Sequence, residues 1–221
     1  MKRFLKFIMG LSLLPACYGY SVEFLRVMSA IYKSPRTYWG IFAGGAGSYL
    51  LIHILLPKPF LLHIFGHELT HAVFGRLFGL RVKSIKASKK GGHVRLSGSN
   101  SIATLAPYFF PLYSFIVLLV YILTIITGYD RPFYPYFLFL MGFTLSLHIL
   151  MTMESLKGSQ PDIREGGMVF SIPVIYTLNL ITITLLLRLT VFRGIEYFHF
   201  LKTGWLRSWE VWKALFKAAS G

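Results

Sequence analysis

Residues 60–80 read Phe60-Leu61-Leu62-His63-Ile64-Phe65-Gly66-His67-Glu68-Leu69-Thr70-His71-Ala72-Val73-Phe74-Gly75-Arg76-Leu77-Phe78-Gly79-Leu80. The stretch is apolar apart from its histidines, Glu68, Thr70 and Arg76. On a helix His67 and His71 lie one turn apart and face the same way. That spacing suits two imidazole ligands on one zinc ion, with Glu68 beside them as general base. A soluble metallohydrolase would carry such a pattern near water. Here the flanks are those of a membrane segment, so the pattern implies a zinc hydrolase whose site lies within the membrane.

The rest of the chain agrees with that setting. Of its 221 residues 55% are hydrophobic, and the mean hydropathy is +0.60. Apolar runs near 38–56, 60–80, 104–127, 133–153 and 169–191 approach the roughly 20 residues that cross a bilayer. Backbone polar groups in lipid must be satisfied internally. The expected fold is therefore an all-α membrane protein, a polytopic bundle of about five or six transmembrane helices. Residues 1–37 are expected to form an N-terminal amphipathic or membrane-dipping helix, 38–191 the core, and 192–221 a C-terminal amphipathic helix. Trp205, Trp209, Trp212 and Phe216 alternate there with Lys202, Arg207, Lys213 and Lys217, an interfacial pattern. Val82-Lys83-Ser84-Ile85-Lys86 and His93-Val94-Arg95-Leu96 alternate loosely around Gly91-Gly92, which predicts a short membrane-associated β-hairpin. Pro57-Lys58-Pro59 breaks the chain before the motif helix. Gly40, Gly44, Gly45 and Gly47, and then Gly75 and Gly79, are expected to let helices pack closely.

The formal charge of +15 would suit a nucleic-acid protein. The positive residues instead cluster between apolar runs: Lys2, Arg3, Lys6, Arg26, Lys33 and Arg36, then Arg81, Lys83, Lys86, Lys89, Lys90 and Arg95. That distribution points to cytoplasmic loops and anionic headgroups, with the bilayer and not nucleic acid as partner. If 81–95 is cytoplasmic, the motif helix runs inward and residues 154–167 share its end. The C-terminal tail then falls outside, against its own basic residues. Leu14-Pro15-Ala16-Cys17 resembles a lipobox, but cleavage there would put the 81–95 cluster on the wrong side. Cys17 is the single cysteine, so zinc cannot be held by several thiolates.

Catalytic zinc usually has three protein ligands, and the sequence must supply the third. His63 continues the histidine face, but at about 1.5 Å per residue it stands about 12 Å from His71, too far for one ion. Acidic residues total eight. Asp162 and Glu165, in Ser159-Gln160-Pro161-Asp162-Ile163-Arg164-Glu165-Gly166-Gly167, lie on the same side as the end of the motif helix. Both stay open as ligands beside their reading as solvated loop charges. His148, His63 and Asn179 are expected to support the site from behind the ligands. Asn100 and Thr104 are candidates to line a polar cavity.

Phe65-Gly66-His67-Glu68-Leu69-Thr70-His71-Ala72 resembles the zinc motif of the site-2-protease-type intramembrane metallopeptidases. Gly91-Gly92-His93-Val94-Arg95-Leu96 resembles that family's Gly-Gly-aromatic-Val segment. Gln160-Pro161-Asp162 with Gly166-Gly167 resembles its aspartate segment, with Ile163 where a glycine usually follows the aspartate. The resemblance covers about residues 38–191. It implies Zn2+ on His67, His71 and Asp162 (Glu165 as runner-up) and Glu68 as catalytic base. It also implies a transmembrane protein substrate held extended along Gly92, His93, Val94, Arg95 and Leu96. The expected setting is the cell membrane, with the site open toward the cytoplasm. Two other classes are weighed against it. One is a non-catalytic zinc-containing membrane binding protein, for which Glu68 would be unnecessary. The other is a metal transporter with His53, His63, His67, His71 and His148 as a relay.

Overall fold

The computed structural model describes residues 2–33, 36–88, 91–158, 160–192 and 194–220. Lys89 and Lys90, counted above with the basic cluster, lie outside the described residues. The apolar runs fold as helices: α1 (Lys2–Ser12), α2 (Leu14–Tyr32), α3 (Arg36–Leu55), α4 (Phe60–Leu77), α5 (Ser101–Phe109), α6 (Leu112–Ile126), α7 (Asp130–Lys157), α8 (Pro161–Gly166), α9 (Met168–Thr190) and α10 (Tyr197–Ser220). Strands β1 (Val82–Ser88) and β2 (Gly91–Leu96) form the expected antiparallel hairpin, with Ile85 opposite Val94 and Lys86 opposite His93. A bulge between Val82 and Ser84 shifts the register.

Residues 1–36 and 161–221 pack as one unit, and residues 37–160 as another. In the first, Ala16 and Tyr20 of α2, Leu180 of α9 and Phe200 of α10 share a core, so α9 packs with the terminal helices. Glu23 is buried there and pairs with Arg207 and Arg26, as a carboxylate taken from water requires.

In the second unit α3 lies against α7. A Cβ on Gly45 would fall on the Phe139 carbonyl, and one on Gly142 on the Phe42 carbonyl. These two glycines, from opposite helices, allow the backbone approach. Gly40, Gly44 and Gly47, which the sequence placed in the same role, face open space. Tyr49, Leu147 and Met151 complete that core. The prolines at 57 and 59 end α3 and restart the chain as α4. Lys58 between them pairs with Glu154 at 2.9 Å, near the end of α7. Gly75 meets the Leu96 side chain, whereas Gly79, at φ +76°, has no neighbour there and supplies the left-handed turn that ends α4.

Among the described residues four helical stretches are long and apolar enough to cross a membrane: Arg3–Tyr32, Tyr38–Leu55, Asp130–Lys157 and Met168–Thr190. This set differs from the expectation in three places. The N-terminal stretch joins it. The run at 104–127 is broken into α5 and α6, bent by 74°, and makes a fifth span only if the pair counts as one. Pro111 explains the break, because a proline disfavours helix at the residue before it, here Phe110. The motif helix α4 does not join the set, because its histidines, Glu68 and Arg76 dilute its apolar residues.

Candidate metal and peptide site

His67 and His71 lie on α4 as the spacing predicts, with their Nε2 atoms 3.2 Å apart. Two nitrogens each about 2.0–2.1 Å from a tetrahedral ion stand about 3.3 Å from one another. The pair therefore has the separation of two ligands on one metal. His71 Nδ1 lies 3.0 Å from the Ala103 carbonyl oxygen. The carbonyl can only accept, so Nδ1 carries the proton and Nε2 keeps its lone pair. An outer partner of this kind holds a ligating ring in orientation.

That carbonyl is available for a reason written in the sequence. In α5 the Ala103 oxygen would ordinarily accept from the N–H of residue 107. Residue 107 is a proline, which has no N–H and crowds the carbonyl four residues before it. Asn100 fixes the start of the same helix, its Oδ1 accepting from the backbone N–H of Ile102 at 2.9 Å and of Ala103 at 3.1 Å. Its role here is that of a helix cap. Pro107→Ala is expected to restore the intrahelical bond and draw the carbonyl away from His71; if the histidine pair holds zinc, the affinity for it should fall about 10-fold. Chelator competition on the purified protein, with the thermal melt as a check that α5 is not weakened, measures it.

His67 presents its ring to the Tyr108 ring edge to face, centroids 5.1 Å apart. Thr70 turns its hydroxyl back to the Gly66 carbonyl at 2.7 Å. Glu68 is 7% exposed. On its flank runs β2, and a Cβ on Gly92 would lie 2.7 Å from Glu68 Cγ and 2.8 Å from Oε1. Only glycine lets the strand come this close to the carboxylate. Gly92→Ala is expected to push Glu68 or the strand aside. If the site hydrolyses peptides on a bound zinc, that activity should fall about 100-fold, as for a misplacement near 1 Å, while the zinc content stays unchanged. Metal analysis and a cleavage assay on one preparation separate the two effects.

Val94 and Leu96 turn toward α4 with Gly92, and His93 and Arg95 turn outward and are exposed. A small pocket with about 30 Å³ of space, room for a water or two, opens beside His67. His63, Thr70, Pro107, Tyr113 and His148 contribute to its wall. His63 Nε2 is 2.8 Å from Ser155 Oγ on α7, and Tyr113 donates to the Leu62 carbonyl at 2.6 Å. His63 and His148 therefore border the space next to His67. His53 is engaged elsewhere, 3.7 Å from Glu154.

Asp162 and Glu165 belong to α8 in the first unit, Asp162 half-buried in its first turn and Glu165 exposed. Ser171 ties α8 to α9 by donating to the Ile163 carbonyl at 3.3 Å. Asn179, in the same unit, donates to the Ile175 carbonyl of its own helix at 2.9 Å. Pro107, Tyr108 and Tyr113 join the site without a signal in the sequence that marks them. Nothing in the sequence alone pairs the turn around Ala103 with His71.

Fold and site together define a largely helical chain with helices fit to cross a membrane, a small antiparallel hairpin, and a histidine pair beside a buried glutamate. No protein-family model, no curated protein and no solved structure matches the chain.

Proposed function

We propose that this chain is an intramembrane zinc peptidase, hydrolysing peptide bonds in or near transmembrane segments of other proteins. The observation that carries the reading is the convergence within one unit: two imidazole nitrogens at metal-sharing distance, one with its tautomer set by Ala103, and on the same helix a buried carboxylate against the strand at Gly92. Asp162 is proposed as the third ligand on its chemistry and on the resemblance of its segment, with Glu165 as runner-up.

Bound zinc would supply Lewis acidity, making a water more acidic and polarising the substrate carbonyl. Glu68 takes a proton from that water as its oxygen adds to the carbonyl carbon. The carbon–nitrogen bond then breaks, and Glu68 returns the proton to the leaving amine. A helical substrate shields its peptide bonds, so it must unwind. The backbone of β2 offers an edge on which to hold the opened segment. The pocket beside His67 provides room for the water that is consumed. The proposed setting is the cell membrane, with the site reached from the cytoplasmic side.

The test is zinc per chain in detergent-purified protein. About one zinc is expected, weakened by Asp162→Ala and not by Glu165→Ala. No zinc under chelator-free conditions, or zinc indifferent to both substitutions, overturns the three-ligand site. Zinc without any hydrolysis moves the assignment to a binding protein, and zinc moved across vesicle membranes moves it to a transporter.

A further inference from the structure

The outward face of the hairpin takes no part in the geometry described so far. His93 and Arg95 point outward from β2, and Lys83 and Lys86 are exposed on β1, with Lys86 opposite His93. Lys83, Lys86 and Arg95 have no acidic partner among the described residues. The sequence has no Asp or Glu from Leu69 to Tyr129. The free edge of β2 pairs with no further strand among the described residues. A charged row of one sign thus borders an open strand edge.

Resting on the peptidase reading above, we infer that His93 and Arg95 select substrates carrying acidic side chains at alternate positions on one side of the cleaved bond. A strand added to β2 pairs through its backbone, and its side chains alternate between the two faces. Those on the outward face become direct neighbours of His93 and Arg95, where opposite charges attract and like charges repel. Lys86 and Lys83, one strand further, strengthen the same field. On the inward face the substrate meets the Gly92–Glu68 contact, so the bond to be cut lies near Gly92 and the acidic positions lie toward Leu96.

The placement favours a peptide over lipid headgroups. Gly92 stands against Glu68 and Leu96 against Gly75, so β2 runs along α4, and His93 and Arg95 lie between those levels. An extended segment added to the free edge of β2 lies alongside α4 and passes the Gly92–Glu68 contact, a path that a headgroup does not follow. Acidic side chains are costly in hydrocarbon. The selected bonds should therefore sit near the boundary of a transmembrane segment and not at its centre.

The experiment digests synthetic transmembrane peptides in detergent micelles, the residues at the boundary of their apolar segment randomised, with the full chain, and reads new termini by mass spectrometry. Glu68→Gln serves as the blank. Asp and Glu are expected to be enriched about twofold to fivefold over Lys per position, at alternate positions on one side of the cut. Arg95→Glu should reverse the preference toward Lys. Arg95→Gln, which introduces no new charge, should flatten it. Glu68-dependent cleavage without acidic enrichment, or with enrichment unchanged in both Arg95 variants, overturns the inference and leaves the peptidase reading standing. It is also overturned if Arg95→Glu weakens sedimentation with phosphatidylglycerol vesicles and leaves the cleavage profile alone, since the face then serves headgroups. Absence of any Glu68-dependent cleavage overturns the peptidase reading, and this inference with it.

Discussion

Glu68→Gln is expected to lower peptide hydrolysis about 10²–10⁴-fold, the usual contribution of a positioned general base, while zinc content and the thermal melt stay near wild type. The amide keeps the shape of the carboxylate, so the close contact with Gly92 survives. What disappears is the proton acceptor. A ligand or a purely structural residue would behave differently. Loss of a ligand lowers metal content, and loss of a packing residue at a position only 7% exposed lowers the melting temperature. Cleavage of a tagged model transmembrane segment in micelles, run beside metal analysis of the same sample, reads both. Undiminished cleavage by the Gln variant removes Glu68 from the chemistry.

His71→Ala is expected to be the more damaging change to the proposed metal site. It deletes a ring nitrogen 3.2 Å from that of His67, leaving one histidine of the pair. It also deletes the donor to Ala103, a carbonyl that Pro107 already denies its helical partner. Zinc affinity should fall by more than the 10–100-fold typical of losing an outer partner. Leaving a buried acceptor unmet should cost about 1–3 kcal/mol of stability. His63→Ala is the control on the same helix face. His63 is hydrogen-bonded to Ser155, and its loss should leave zinc near one per chain. Equal zinc loss in the two variants would make His63 a ligand and sink the assignment. Isothermal titration with zinc, together with thermal melts in detergent, measures both effects.

The hairpin was legible because loose alternation around Gly91-Gly92 has few other outcomes. The break at residues 57–59 was legible because two prolines cannot continue a helix. The histidine face of α4 followed from helical period alone. The run at 104–127 was harder, since hydropathy averages over a window and does not register that Pro111 turns the chain. The motif helix misled in the other direction. Its flanks suggest a span, yet the histidines and Glu68 that mark it as a candidate site also dilute its apolarity. The glycines show the same limit. Composition picked out a glycine-rich stretch at 40–47, but which glycine touches a partner depends on the facing helix, and Gly45 meets α7 while its neighbours do not.

By itself the sequence determined the helical, membrane-suited character of the chain, the order of its elements and the one-turn spacing of His67 and His71. These follow from hydropathy, proline and glycine positions, and the 3.6-residue period, which are local properties. The tertiary structure decided the rest. It set the His71 tautomer through Ala103, the approach of Gly92 to Glu68, the outward direction of His93 and Arg95, and the pocket bordered by His63 and His148. Each of these joins residues far apart in the chain. Such contacts depend on which faces of separate elements pack together, and local propensity does not encode that choice.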